Sequence, residues 1–120
     1  MRFISPLIHG IIDILAVIFL LVSPSFFTFT ELVIRFTYAL TVVHLLLTLL
    51  TAYDIGILKI IPLPLHGLIE FAVSILLIVL AYTKFRHDVT GKLYYILFGT
   101  VLMLTWFCTD YGVGKAKSQL

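Results

Sequence analysis

Charge is what this sequence has least of. Eight Lys or Arg and six Asp or Glu make up 12% of 120 residues, where soluble globular domains carry about one quarter. That scarcity excludes a chain whose surface is solvated all round. A net charge of +2, spread along the sequence, excludes a basic nucleic-acid footprint. Cysteine is nearly absent: Cys108 stands alone, so no intrachain disulfide and no Cys-x-x-Cys zinc or redox motif can form. Neither Cys108 nor any serine has a base at a spacing that would activate a nucleophile, which argues against covalent catalysis. Only four prolines interrupt the chain, and they leave long apolar stretches intact.

What fills the sequence is hydrocarbon. Hydrophobic residues make up 62%, and mean hydropathy is +1.18. Four apolar segments, 5–22, 32–53, 63–83 and 93–109, each approach the ~20 residues that cross a hydrocarbon core. The alternation of barrel strands is missing, so the reading is an all-α bundle of four transmembrane helices in a cell membrane, with the lipid bilayer as its solvent. The first segment follows Arg2 as a secretory signal would. It carries His9 and Asp13, however, lacks a small-residue cleavage pattern, and has a counterpart in the third segment, so retention is expected. Connections are predicted at Ser23-Pro24-Ser25, from Gly56 to Pro64, and at 84–91, with Thr30 and Thr90 as N-caps. Four spans put both termini on one side, here side A. Arg2, Lys59, Lys115 and Lys117 on side A equal Arg35, Lys84, Arg86 and Lys92 on side B, so basic residues choose no orientation. Tyr53, Trp106 and Tyr111 mark one boundary, and Phe26, Phe27, Phe29, Tyr82, Tyr94 and Tyr95 the other.

The sequence also repeats itself. At an offset of 57, His9/His66, Gly10/Gly67, Ile12/Ile69, Ile18/Ile75, Leu20/Leu77 and Val22/Val79 are identical, and Asp13 answers Glu70. At an offset of 56, Tyr38/Tyr94, Leu46/Leu102, Asp54/Asp110, Gly56/Gly112 and Lys59/Lys115 coincide. The chain therefore reads as one integral membrane domain made of two tandem two-helix repeats, about 4–59 and 61–115. An even number of spans per unit inserts both copies in the same sense, related by an axis along the membrane normal.

That symmetry brings polar residues to equal depth. His9 and His66 open their helices, with Asp13 and Glu70 one turn, roughly 6 Å, deeper and on the same face. Asp54 and Asp110 close the second and fourth helices on side A. Carboxylates within hydrocarbon face the bundle interior, paired, protonated or bound to a cation. Six groups are candidate metal ligands: His9, Asp13, Asp54, His66, Glu70 and Asp110. Nitrogen and oxygen donors suit zinc, manganese or iron. Haem b between His9 and His66 is a second cofactor reading. A structural polar network without chemistry is a third, and a proton-coupled transporter a fourth, needing a homodimer to make room for a substrate. The second helix adds a polar seam, Thr37, Thr41, His44, Thr48 and Thr51, spaced 4-3-4-3 and so turned to another helix. Its threonines fit small packing residues bonded to i−4 carbonyls, or a polar path inward from side A.

The segment from Leu20 to Phe29, with Ser23-Pro24-Ser25 at its centre, resembles the Ser-Pro-Trp turn of the SPW-repeat family of small bacterial membrane proteins. Ser25 stands where that family has tryptophan, and the second copy reads Leu80-Ala81-Tyr82. The resemblance implies four membrane helices in a duplicated unit, and no activity.

Overall fold

A computed structural model describes residues 2–51 and 56–111. They form four α-helices: α1 (Pro6–Phe26), α2 (Glu31–Leu50), α3 (Leu63–Tyr82) and α4 (Val89–Cys108). No strand occurs among the described residues. Two isolated bridges, Ile4 with Thr109 and Thr51 with Ile61, tie the segments entering α1 and α3 to those leaving α4 and α2. Each helix is 20 or 21 residues long and apolar enough to cross a membrane.

The helix starts follow local chemistry. Ser5 caps α1 by accepting from the Ile8 amide, and Pro6 fills a first-turn position whose N–H has no partner in any helix. Thr30 is the N-cap of α2, though its hydroxyl makes no cap bond. At α4 the structure corrects the expected cap: Asp88, not Thr90, takes the position, and Thr90 falls in the first turn. An aspartate offers two acceptor oxygens. One takes the Gly91 amide at 2.8 Å and the other the Thr30 amide at 2.7 Å, so a single side chain caps α4 and reaches the N-cap residue of α2. Burial raises the pKa of that carboxyl, but the Gly91 and Thr30 amides outweigh it and hold Asp88 below its ordinary value. A second correction falls at Ser23-Pro24-Ser25, which lies inside α1 rather than in a connection. Proline forfeits one amide bond, and the Ser23 hydroxyl donates to the Phe19 carbonyl one turn back.

α3 and α4 pack more closely than α1 and α2. Gly99 is one reason: a Cβ there would stand 2.9 Å from the Ser74 carbonyl oxygen of α3. α2 and α4 begin 58 residues apart, and the α2 residue 58 before Gly99 is Thr41, which has the Cβ that Gly99 lacks. Toward the loops at 27–30 and 83–88 the interior is apolar and aromatic, built around Leu20, Val33, Leu77, Phe85 and Tyr95. At the opposite end it is polar: His9, Asp13, His66, Glu70, Thr48 and Thr51 are all buried. Large apolar residues such as Leu15, Val42, Leu68 and Leu97 line the outside instead.

Candidate metal centre

The polar end is assembled by pairs of opposed helix faces. α1 carries His9 and Asp13 and α3 carries His66 and Glu70, each four residues apart and therefore on one helical face. The faces meet. His9 Nε2 lies 2.9 Å from Glu70 Oε2 and 3.4 Å from Asp13 Oδ2. His66 Nε2 lies 3.0 Å from Asp13 Oδ2 and 3.2 Å from Glu70 Oε1. Every imidazole thus touches both carboxylates in a closed four-membered ring of side chains, each at most 1% exposed. In both cases the contact across helices is shorter than the one along the helix.

The other ring nitrogens are held by threonines at the ends of neighbouring helices. Thr51 Oγ1 donates to the Leu47 carbonyl and Thr109 Oγ1 to the Thr105 carbonyl, which uses the single proton of each hydroxyl. His66 Nδ1–H therefore donates to Thr51 at 2.6 Å, and His9 Nδ1–H to Thr109 at 2.7 Å. This fixes one tautomer, with both Nε2 atoms turned on the carboxylates. Two Nδ1–H imidazoles and two carboxylates carry a charge of −2 between them. Two shared protons or one divalent cation neutralise it.

One donor atom from each of His9, Asp13, His66 and Glu70 lies within 4.8 Å of the other three. In a tetrahedral site with bonds of about 2.0–2.1 Å the ligands stand about 3.3 Å apart. The four ring contacts, which use both Glu70 oxygens, bracket that figure. With one donor atom per residue the set spans up to 4.8 Å, so the N₂O₂ donors would have to draw together by as much as about 1.5 Å to close on a zinc-sized ion. A haem does not fit. The two histidine rings meet edge to face with centroids 5.3 Å apart and share the same carboxylates, leaving no slot for a macrocycle between them.

Of the six ligands read from sequence, the structure brings together these four. Asp110 is only half buried and stands outside the group, its amide donating to the Ile4 carbonyl at 2.8 Å. Asp54 lies outside the described residues. The seam residues Thr37, Thr41, His44, Thr48 and Thr51 are all buried, and each threonine donates to the carbonyl four residues back. His44 Nε2 approaches the cluster, 3.7 Å from Asp13 Oδ1.

Sequence reading missed the cover over the site. The Tyr111 ring lies 6.0 Å from that of His9 and against Gly67, where a Cβ would come 2.5 Å from the ring. Any larger residue at 67 would push the Tyr111 ring off the site. Burial and the Glu70 carboxylate beneath push the Tyr111 phenol pKa up, keeping it protonated. The Arg2 guanidinium sits over the Trp106 and Tyr111 rings and donates to the Thr109 carbonyl. Thr109 was missed as well. Its signal is that it follows α4 as Thr51 follows α2, which becomes visible once the helix ends are known.

Comparison with protein-family models, with curated proteins and with solved structures returned no match. The chemistry of the site therefore has to speak for itself.

Proposed function

We propose that this chain is a multi-pass integral membrane protein, built from two tandem two-helix repeats, that binds one divalent cation through His9, Asp13, His66 and Glu70. The observation that carries the reading is the closed ring of two tautomer-fixed imidazoles and two carboxylates, buried where charge is costly and matched in number to one doubly charged ion. Duplication is supported by mirrored hydrogen bonds: Ile4 and Ile61, 57 apart, pair with Thr109 and Thr51, 58 apart. The membrane reading is supported by four apolar helices whose large hydrophobic residues lie outside, while His9, Asp13, His44, His66 and Glu70 lie inside. Kinship with the SPW-repeat proteins is part of the same proposal, and the Ser23-Pro24 pair at the foot of α1 supports it.

Elemental analysis of the detergent-purified protein tests the reading. It predicts one zinc, manganese or iron ion per chain after dialysis, lost in Glu70→Leu. A second reading is favoured by the way the side-chain contacts close on themselves: the network joins the helices as a structural element. Metal-free protein that takes up no added Zn²⁺, Mn²⁺ or Fe²⁺ selects that second reading.

A further inference from the structure

We infer that His44 of α2 is a fifth ligand of this centre, making it an N₃O₂ site for a first-row divalent metal; the inference rests on the four-residue reading above. Three observations converge on it. His44 is 95% buried by its 5% exposure, and its Nε2 makes no hydrogen bond. A ring nitrogen left in this state inside a helix bundle is a cost that a ligand removes. Nε2 is aimed at the cluster and lies 3.7 Å from Asp13 Oδ1, on the opposite carboxylate oxygen from the one that meets His9 and His66. Neighbouring ligands around a metal with bonds of about 2.1 Å stand about 3 Å apart, so the shell is completed when the His44 imidazole and the Asp13 carboxylate turn towards each other.

The third observation is an asymmetry. α2 and α4 begin 58 residues apart, and the residue 58 after His44 is Leu102, buried and part of the apolar core. A network serving only to join helices has no need of an extra imidazole on one side. A cation that takes one more nitrogen donor does. Five-coordination by three imidazoles and two carboxylates moves the preference from a closed tetrahedral zinc site towards metals that accept higher coordination numbers, manganese and iron among them.

The test uses the full chain in detergent and Co²⁺ alone as the probe. Wild type should bind one ion with the weak visible bands of five-coordinate cobalt. His44→Leu, which copies the residue at the matching position of α4, should still bind cobalt, but with about tenfold lower affinity. Its bands should be several times more intense, as tetrahedral coordination makes them. Equal affinity and equal spectra in the two proteins would overturn the assignment of His44 and leave the four-residue site standing. Wild type that binds no cobalt would overturn the four-residue site itself and His44 with it. X-ray absorption of wild-type protein loaded with Zn²⁺ needs no variant: scattering that fits three imidazoles supports the inference, and two overturns it.

Discussion

The two ends of the bundle solve the same problem with different donors. At the aromatic end the Tyr94 hydroxyl donates to Ser23, which donates to the Phe19 carbonyl, and Tyr95 donates to Thr37, which donates to the Val33 carbonyl. At the ionisable end His9 and His66 donate to Thr109 and Thr51, which pass their own protons to the carbonyls of Thr105 and Leu47. Four times, a buried ring hands a proton to a hydroxyl already committed to its own helix. A phenol so held is finished and carries no charge. An imidazole so held still has its second nitrogen, and that nitrogen turns to a carboxylate. The difference between a packed end and a reactive end lies in that one remaining atom per ring.

Substitutions can break this contrast. The largest effect is expected from Glu70→Ala, which leaves two imidazoles and Asp13 without their closing partner; removing one member of a buried ion pair costs about 3–5 kcal/mol, read from thermal unfolding in detergent. The same variant should lose the metal. Leu77→Ala at the other end should cost about 2–5 kcal/mol through the cavity it leaves, with metal content unchanged. Thr109→Val removes the acceptor of His9 Nδ1–H while keeping the shape of the side chain. Metal affinity should fall about 10–100-fold, while stability falls by about 1–3 kcal/mol. The smallest effect belongs to Asp88→Ala, at about 1 kcal/mol for a lost N-cap. Because the folded pKa of Asp88 is lowered, its contribution is complete above the ordinary value of 3.8 and is lost as pH falls through the folded value. Unfolding profiles of wild type and Asp88→Ala should therefore converge on acidification below about pH 4 and stay apart above it.

Much of this was legible in the chain. Hydropathy runs gave four helices, and the i, i+4 spacing of His9 with Asp13 and His66 with Glu70, written twice, pointed to one buried centre. Helix ends were harder, because capping depends on which side chain reaches two amides at once. Asp88 does so and Thr90 does not. Residue identities suggested an offset of 56 between the second and fourth helices, whereas the helices themselves begin 58 apart, and only that offset sets Thr51 against Thr109 and His44 against Leu102. Identity counts reward outward-facing positions such as Tyr38 and Leu46, which are exposed, as much as buried ones. Contacts between helices were the least legible. His9 meets Glu70 more closely than it meets Asp13, one turn along its own helix, because the rotation of α1 against α3 decides the pairing.

The central claim is that the metal-free ring holds two shared protons against its charge of −2 and exchanges them for one doubly charged ion. Calorimetric titration of the purified protein with Zn²⁺, repeated in buffers of different ionisation enthalpy, measures both the ion bound and the protons it displaces. The account predicts one ion per chain and two protons released. Saturation without proton release, or no binding to protein whose four ring residues are intact, would contradict it.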